Sequence, residues 1–447
     1  MPELQAKEST QQRTQLLHSS KERQKLKVAY TLSRFPKLTE TFILYEILAL
    51  EKLGVQVELF PLLYERQSVV HPEAAKMLKR ANFYPFISLS ILSAHLHYLR
   101  CKPRTYFSVL WQVLRGTFGS LNFFIGAIGI FPKSVKMAYE MEMRGVNHLH
   151  AHFCTHPAVA ALIVKGLTGI PFSFTAHGSD VHVERRMLDK KIEAARFAVT
   201  VSDFNKNVMI EECGEQVGDK IKVVHCGVDP DEFIPNSKQK EDRPLRIICV
   251  ASFEEVKGHK YLVEAFEILN RKGVEFRCDL IGYGPLKKKV RAQIRKAGLE
   301  DKVVVHKPRP RAEIVQMLRE AHLKVLPSVR TKRGKREGIP VVLMEAMASA
   351  LPVVSSRLSG IPELVEHNKT GLLVEPRDVQ GLANAILKLV HDRKLRKTMG
   401  AAGREKVLRE FDLRKNAEEL SKLFLSNIDQ TPRSENGTHI PRWMDKS

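Results

Sequence analysis

The stretch Glu337-Gly-Ile-Pro-Val-Val-Leu-Met-Glu345 contains two carboxylates eight residues apart, one before a glycine and a proline and one within an apolar run. Pro340 suits the first position of a helix, because its missing N–H would have no intrahelical partner there, and we predict a helix over about 341–350. The free N–H groups at a helix start bind phosphate, and Gly338 lets a ligand approach the backbone closely. A carboxylate on each side can accept hydrogen bonds from hydroxyls, so the stretch predicts a nucleotide-sugar site. The alternative is two solvated glutamates on a surface helix.

Sequence blocks on both sides of this stretch carry a family pattern. Downstream they are AMASALPVVSS (346–356), GIPELVE (360–366) and TGLLVEP (370–376). Upstream they are SRFPKLTETF (33–42), HAHF (150–153) and FTAHG (174–178). Together these blocks resemble the retaining, GT4-type glycosyltransferases of the GT-B fold, and among them the bacterial exopolysaccharide (colanic-acid-type) members.

The resemblance implies both a fold and a reaction. The fold is α/β, with two Rossmann-like domains facing each other across a cleft. The reaction is transfer of a hexose, with retention of configuration, from a UDP- or GDP-linked donor to a glycan or lipid-linked oligosaccharide in exopolysaccharide biosynthesis. It implies no metal and no cofactor apart from the nucleotide-sugar substrate. Two alternatives stay open: a sugar-nucleotide epimerase or hydrolase of the same fold, and an inactive membrane-associated scaffold.

Strand-like runs alternate with helix-like runs along the chain, which indicates parallel sheets with crossover helices. We predict strands at 27–32, 55–60, 148–152, 172–176, 199–201 and 222–225 in the first half, and at 245–250, 276–281, 303–305, 323–327, 353–355 and 372–374 in the second. In such domains the ligand lies at the carboxyl ends of the strands.

The expected domain division follows from the same reading. A disordered tail is expected over 1–24, followed by an acceptor-binding domain over 25–229 with a basic, apolar insertion at 74–139. A linker over 230–244 leads to a donor-binding domain over 245–394. Helices over 395–426 are expected to cross back to the first domain, and a tail follows over 427–447.

The resemblance assigns donor-side roles to residues near the strand ends of the second half. Lys257 matches the family's phosphate-binding lysine, Glu345 is predicted to hold the ribose hydroxyls, and Glu337 the donor sugar. The family usually carries a second cation, an arginine, where this chain has Ser252, and candidates to replace it lie in the basic loop 330–336, unless that loop is simply solvated. The remaining predicted donor contacts are Gly338, Ile339, Val341, Val342, Gly282 and Lys307.

The first half supplies the predicted acceptor side. By the resemblance, His152 contacts the transferred sugar and joins Glu337 and Lys257 as a catalytic residue, while His177 lies near the acceptor with Asp180 to assist it. The other predicted acceptor contacts are Thr39 and Glu40. Alternation also places His148, His150 and His152 on one strand face, as in some zinc sites, but no carboxylate or cysteine pair completes a tetrahedral set, and we predict no metal.

The net charge of +22 is unevenly distributed along the chain. Residues 74–139 contain nine Lys or Arg and no Asp or Glu, interleaved with aromatic and aliphatic residues. This composition is typical of helices that lie in the interface of an anionic membrane, with core helices carrying a solvated basic face as the alternative. The uncharged run 116–132 is shorter than the roughly 20 residues of a spanning helix, so we predict a buried or interfacial segment. No nucleic-acid module accompanies the charge, and we predict no nucleic-acid partner.

The six cysteines are scattered, without a C-x-x-C pair, which suits a reducing compartment. The first 24 residues are polar and charged and lack the apolar core of a signal peptide. We therefore expect a cytoplasmic protein that is peripheral on the inner face of the plasma membrane.

Overall fold

The structure is a computed structural model that describes residues 26–37, 40–67, 71–236 and 244–426. The two predicted tails, the predicted contact Thr39 and residues 237–243 of the predicted linker lie outside the described residues. Within the described ranges, no helix is both long enough and apolar enough to cross a bilayer.

The first half of the chain forms a sheet of six parallel strands in the order β2-β1-β3-β4-β5-β6. The strands are β1 (Lys27–Phe35), β2 (Gln56–Tyr64), β3 (His148–His152), β4 (Phe172–Ala176), β5 (Phe197–Thr200) and β6 (Ile221–Val223). Both central strands β3 and β4 are buried along their whole length, because helices cover both faces of a parallel sheet.

The second half forms another sheet of six parallel strands, in the order β12-β11-β10-β7-β8-β9. The strands are β7 (Leu245–Val250), β8 (Phe276–Ile281), β9 (Val303–His306), β10 (Leu323–Leu326), β11 (Val353–Ser356) and β12 (Gly371–Val374). The prediction of two Rossmann-like α/β domains is confirmed. Every predicted strand is present, although β1 and β2 run past their predicted ends.

Helices connect the strands on both faces of each sheet. In the first half they are α1 (Thr41–Lys52), α2 (Pro72–Leu78), α3 (Leu89–Cys101), α4 (Pro103–Thr117), α5 (Leu121–Met143), α6 (His156–Thr168), α7 (Ser179–His182), α8 (Leu188–Ala194) and α9 (Asp203–Cys213). In the second half they are α10 (His259–Arg271), α11 (Lys287–Lys296), α12 (Arg311–Glu320), α13 (Val341–Ala348), α14 (Ile361–Leu364) and α15 (Val379–His391), followed by α16 (Arg393–Glu410) and α17 (Leu413–Ser426).

The helix predicted from the stretch 337–345 is α13. It begins at Val341, as predicted, and ends at Ala348. Pro340 is not its first residue, because its backbone is extended (φ −69°, ψ 119°) and it stands as the residue before the helix. Its missing N–H still costs no intrahelical hydrogen bond in that position.

The last two helices connect the halves. α16 packs against α13 of the second half, whereas α17 packs against α1 of the first. Phe424 of α17 is fully buried and lies against His148 and His150, with ring centroids 5.2 and 5.3 Å apart. The chain therefore returns to the first half between α16 and α17, and we keep the domain division given above as a proposal.

The segment 74–139 forms three long helices that pack on one another. α3 and α4 both contact α5, and α4 and α5 both contact α6 at the side of the first sheet. The side chains of Ser88 and Ser120 accept hydrogen bonds from the backbone N–H groups of Ile91 and Phe123, which caps the starts of α3 and α5. The uncharged run 116–132 is not one segment, because it spans the end of α4, a turn and the first half of α5.

Candidate functional site

A cleft of about 860 Å³ lies between the two halves. Its walls include Phe153, His177 and Val201, which follow β3, β4 and β5, and Ala251 and Gly282, which follow β7 and β8. The carboxyl ends of both sheets thus face the same space, which is where open α/β sheets bind ligands. The volume is within the usual range for small-molecule sites.

Lys257 and Glu337 form an ion pair in this cleft. Lys257 ends a short 3-10 turn after β7, and Glu337 belongs to the loop that leads into α13. The Lys257 Nζ and Glu337 Oε1 atoms are 2.7 Å apart, and both side chains are largely buried. The predicted phosphate lysine and the predicted sugar carboxylate are therefore adjacent, beside the free N–H groups at the start of α13.

Gly338 is a point of contact between the two halves. A Cβ atom on Gly338 would lie 2.5 Å from the carbonyl oxygen of His177, and one on Gly178 would lie 2.9 Å from the backbone nitrogen of Gly338. Contacts this short cannot be accommodated, so a side chain at either position would push the halves apart. We predicted that Gly338 lets a ligand approach the backbone, but here the backbone of the first half makes the close approach.

Glu345 lies on the cleft wall in the second turn of α13 and is 7% exposed. Its Oε1 atom accepts a hydrogen bond from Arg311 Nη1 at 3.0 Å. Burial raises the pKa of Glu345, while the positive charges of Arg311 and Lys324 oppose that shift. The other predicted contacts on this helix and the preceding loop, Ile339, Val341 and Val342, also line the cleft.

Arg311 is a cleft cation that no sequence pattern indicated. It begins α12, donates from Nε to Glu232 Oε1 at 2.6 Å, and places its guanidinium 4.2 Å from the ring centre of Tyr45 in the first half. Lys307, which we predicted as a donor contact, is exposed and does not line the cleft, whereas Arg309 and Arg311 do. The turn after β9 carries Lys307 outward, so that prediction is wrong about which residue of the turn faces the cleft.

Ser252 and Gly282 both line the cleft, at the ends of β7 and β8. A Cβ on Gly282 would lie 2.0 Å from the Ala251 carbonyl oxygen, so glycine is needed where these two strand ends meet. From the basic loop 330–336, Lys335 and Arg336 line the cleft. Lys335 pairs with Glu254 at 2.6 Å, and the buried Nε of Arg336 has no hydrogen-bond partner among the described residues. Of the two cations of that loop that line the cleft, Arg336 is therefore the one with a buried donor to spare.

His152 lies behind the cleft wall and not on it. It is fully buried, with Nδ1 at 3.0 Å from His177 Nε2 and Nε2 at 3.0 Å from Glu46 Oε1. Since both ring nitrogens are engaged inside the protein, His152 has no free atom for a sugar in this conformation. The predicted direct contact is not made in this conformation, and His177, which is hydrogen-bonded to His152, is the histidine that lines the cleft.

A chain of hydrogen bonds sets the tautomers of these histidines. Tyr30 donates its hydroxyl to Glu46 Oε1 at 2.8 Å, and the Glu46 carboxylate accepts the His152 Nε2–H. His152 Nδ1 must then accept the Nε2–H of His177, which leaves Nδ1 of His177 as an acceptor. Burial would raise the pKa of Glu46, but its contacts with His152 and Tyr30 hold that pKa below the usual value. Burial lowers the pKa of His177 to about 4, so it is neutral at pH 7.

Asp180 positions the loop that carries His177. Its carboxylate accepts hydrogen bonds from the backbone N–H groups of Cys154, His177 and Gly178, at 3.0, 3.1 and 2.8 Å. It is buried and touches the backbone of His177, so its predicted assistance to the imidazole is positional. Glu40 lines the cleft and pairs with Lys37, and burial raises its pKa.

The histidine run on β3 is hydrogen-bonded within the sheet. His150 has both ring nitrogens on hydroxyls, Nδ1 on Ser173 at 2.8 Å and Nε2 on Thr175 at 2.9 Å, and His148 contacts Ser173 at 2.7 Å. Potential ligand atoms of Glu46, His150 and His152 do lie within 4.8 Å of one another. A metal there would have to displace these hydrogen bonds, and the residues fit a polar core better than a cation site.

Two aromatic residues and a carboxylate on α1 were missed in the sequence. Phe42, Tyr45 and Glu46 lie at positions i, i+3 and i+4, which share one face of a helix. Phe42 and Tyr45 line the cleft, and Glu46 supports His152 from below. The spacing was visible, but it also fits an ordinary buried helix face, and only the position of α1 beneath the cleft distinguishes the two.

Residues 39–232 match the family described as Glycosyltransferase Family 4, and residues 230–406 match the one described as Glycosyl transferases group 1. The chain is 31% identical over 403 residues to the protein named "Putative colanic acid biosynthesis glycosyltransferase WcaL" of Salmonella typhimurium, covering 87% of this chain and 96% of that one. It is 42% identical over 194 residues to the amylovoran biosynthesis glycosyltransferase AmsK of Erwinia amylovora. That match covers 43% of this chain and spans about half of that protein's length, 48%.

Solved structures show the same fold. A glycosyltransferase from Rickettsia africae matches with a TM-score of 0.67 and 18% identity, over 91% of this chain and all of that one. The Anabaena protein HepE, solved in complex with UDP-glucose, matches with a TM-score of 0.66 and 17% identity, over 90% of this chain and all of that one.

Proposed function

Because this chain belongs to the GT4 family of glycosyltransferases, with relatives named for colanic acid and amylovoran biosynthesis, we propose that it transfers a sugar from a nucleotide diphosphate to a growing exopolysaccharide. The acceptor in this proposal is a glycan or lipid-linked oligosaccharide at the cytoplasmic face of the membrane. The observation that carries the proposal is the Lys257–Glu337 ion pair beside the start of α13, in a cleft faced by the carboxyl ends of both sheets.

The proposed donor site pairs the diphosphate, the sugar and the ribose of a nucleotide sugar with suitable groups of the protein. Lys257 and the free N–H groups at the start of α13 face the diphosphate, where negative charge develops as the bond to the sugar breaks. Glu337 is adjacent and holds the sugar hydroxyls. Glu345, in the second turn of α13, accepts hydrogen bonds from the ribose hydroxyls. That the structurally similar Anabaena protein was solved with UDP-glucose supports a nucleotide-sugar donor of this kind.

The proposed mechanism retains the anomeric configuration without a protein nucleophile. The leaving phosphate itself takes the proton of the acceptor hydroxyl, which attacks from the same face of the sugar. His177, held neutral with an acceptor nitrogen by the chain through His152 and Glu46, stands on the acceptor side of the cleft. Its role is to orient a hydroxyl by hydrogen bonding.

The experiment that tests the proposal has two parts. Thermal stabilisation across a panel of UDP- and GDP-sugars identifies the donor, since a ligand at 100 times its dissociation constant adds about 2.7 kcal/mol. Product analysis by NMR, with and without a glycan acceptor, then gives the linkage and its anomeric configuration. An inverted product rejects retention. Donor conversion that needs no acceptor indicates an epimerase or hydrolase instead, and a folded protein that turns over no member of the panel indicates a scaffold.

We expect Glu345→Ala to weaken binding of the free nucleoside diphosphate by about 10- to 100-fold, because ribose hydroxyls lose a charged acceptor worth about 1.5–3 kcal/mol. Arg311 keeps its second carboxylate, Glu232, so the guanidinium is not left unpaired. The matched variant is Glu337→Gln, which should spare free diphosphate binding and lower turnover. Calorimetric titration of both variants measures the difference. Equal loss of affinity in both would show that the two roles are assigned wrongly.

Activity is expected to survive chelation by EDTA, because Lys257 and the α13 start already supply positive charge to the diphosphate. The sequence contains one D-x-D pair of the kind that binds divalent ions in other glycosyl-transfer sites, at Asp229 and Asp231. Neither aspartate lines the cleft, and Asp231 pairs with Arg414 at 2.8 Å. Initial rates are compared before and after dialysis against EDTA. Loss of turnover that Mg²⁺ or Mn²⁺ restores would reject the metal-free reaction.

A further inference from the structure

Eleven of the sixteen large apolar side chains that are exposed in the described part of the chain lie between residues 86 and 128. On α3 they are Leu89, Leu92 and Leu96, spaced i, i+3 and i+7 on the face opposite the core. The same spacing continues to the exposed Arg100. One side of this helix is therefore an apolar stripe that ends in a cation.

The next two helices repeat this arrangement. On α4 the exposed stripe is Arg104, Phe107, Trp111 and Arg115, again spaced i, i+3, i+7 and i+11, with Trp111 65% exposed. On α5 it is Leu121, Ile125 and Ile128, at i, i+4 and i+7. Because α3, α4 and α5 pack on one another, we call these three stripes together the outer face of α3–α5.

The charges around the outer face differ from those expected from the sequence. Of the nine cations in 74–139, Lys133 and Lys136 are buried, and they contact the Leu62 carbonyl and Glu140. Arg100, Arg104 and Arg115 are exposed beside the apolar stripes. No acidic residue lies anywhere in 74–139. The surface is thus an apolar patch with a border of arginines, which is the composition of helices that insert shallowly into an anionic bilayer.

One end of the outer face, at the turn between α4 and α5, lies at the same edge of the first sheet as the cleft. The ring of Phe123, near the start of α5, stacks on His156 at 4.5 Å, and His156 begins α6 directly after the end of β3. In the turn between α4 and α5, the Gly119 carbonyl accepts a hydrogen bond from Arg186 Nη2 at 2.7 Å. Arg186 follows Ser179, a residue of the cleft wall, by seven positions in the sequence. A bilayer seated on this face would therefore be close to the acceptor side of the cleft.

We propose that the outer face of α3–α5 inserts into the headgroup region of an anionic membrane and holds the cleft at the height of a lipid-linked acceptor. The proposal rests on the proposed function for the acceptor, but not for the membrane contact. Large exposed apolar patches on monomeric proteins mark such contacts, because apolar area in water is unfavourable. Insertion of the apolar side chains supplies most of the binding, and the arginine border makes the binding prefer anionic lipid. Because the apolar part does not depend on charge, that part of the binding is expected to persist at high salt.

The test is co-sedimentation of the full-length protein with vesicles of phosphatidylcholine, with and without phosphatidylglycerol, at low and high salt. The triple variant Leu92→Ser, Trp111→Ser, Ile125→Ser should bind at least tenfold less than the parent, and its circular dichroism and Tm should be unchanged because all three side chains are exposed. The matched control is Ile234→Ser, an exposed apolar residue outside the outer face, which should bind like the parent. The variant Arg100→Gln, Arg104→Gln, Arg115→Gln should lose the preference for phosphatidylglycerol.

Insertion can also be followed directly through Trp111. The chain has two tryptophans, Trp111 and Trp443, so a Trp443→Phe background leaves one reporter. Its emission should shift to shorter wavelength on vesicles and be quenched by lipids brominated on the acyl chain. Absence of a shift, or a triple apolar variant that pellets as well as the parent, overturns the proposal. A parent that dimerises through this face, and is made monomeric by the triple variant without any vesicle binding, also overturns it.

Turnover separates this proposal from the proposed function. The triple apolar variant should keep its rate on a water-soluble acceptor fragment and lose at least tenfold on an acceptor embedded in vesicles. If no nucleotide sugar is turned over by any form of the protein, the proposed function fails, while the vesicle and fluorescence results still decide the membrane contact. If both acceptors are used equally by parent and variant, the positioning part of the proposal is wrong.

Discussion

Replacing Lys257 by alanine is expected to lower turnover by about 10²- to 10³-fold, the usual effect of removing one group that stabilises developing charge in a transition state. The side chain lies on the cleft floor, 2.7 Å from Glu337 and next to the start of α13, where the leaving diphosphate would sit. Its removal also leaves Glu337, which is largely buried, without its positive partner. Binding of a nucleoside diphosphate should weaken more than binding of the nucleoside alone, because only the former carries the charge that Lys257 neutralises.

The matched control for this variant is Lys260→Ala. Lys260 lies three residues further along, at the start of α10, and its side chain is 65% exposed with a long contact to Glu264 at 3.9 Å. Turnover of the control should be within about twofold of the parent, because screened surface pairs contribute little. Lys257→Arg, which keeps the charge, should retain more activity than Lys257→Ala. If Lys257→Ala and Lys260→Ala are equally active, the diphosphate is held elsewhere and Arg336 becomes the next candidate.

Acidification from pH 7 to pH 5 is expected to remove up to about 6 kcal/mol from the free energy of unfolding through three buried histidines alone. These three lie outside the cleft: burial lowers the pKa of His148 to about 3 and of His259 to about 4, and it lowers that of His150 well below its usual value, in addition to the lowered pKa of His177 in the cleft. In the unfolded chain each takes up a proton below about pH 6.5, whereas in the fold it does not. The unfolded state therefore binds more protons as the pH falls, and each histidine costs up to about 1.4 kcal/mol per pH unit.

Urea unfolding between pH 7.5 and pH 5 measures this loss, and a variant identifies its source. His259 has no hydrogen-bond partner for either ring nitrogen among the described residues and packs against Phe253, with ring centroids 4.6 Å apart and ring planes tilted by 31°. His259→Phe should keep the packing against Phe253, lose no hydrogen bond and reduce the slope of stability against pH by up to about 1.4 kcal/mol per pH unit. The exposed His391 is the control, and His391→Gln should leave the slope as it is. A parent whose stability is flat across this range would contradict the prediction.

The outline of the fold could be read from the sequence because its elements depend on local patterns. The apolar runs at 245–250 and 276–281 became β7 and β8 with the predicted bounds, and the start of α13 followed from one proline after one glycine. The division into two parallel sheets followed from the alternation of strand-like and helix-like runs, since parallel strands need crossover connections. The end of α13 was predicted two residues too far, because small residues continue past it without a clear stop signal.

The contacts between the halves could not be read in this way. Arg311 follows Pro310 in an unremarkable turn, and only the closing of the two halves places it between Glu345, Glu232 and the ring of Tyr45. His152 was expected to touch substrate because it ends a strand that points at the cleft. The fold instead covers it with His177, the residue that follows the neighbouring strand β4, at 3.0 Å.

The sequence by itself determined the two α/β domains, the family, and the positions of Lys257, Glu337 and Glu345 on the cleft, because each depends on residues close together in the chain. Tertiary structure alone decided which partners those residues meet. The Lys257–Glu337 pair joins positions 80 residues apart, and the contact between Gly178 and Gly338 joins positions 160 residues apart. It also decided which side of α3–α5 is apolar and exposed, because helical periodicity defines two faces but not which of them the core will cover.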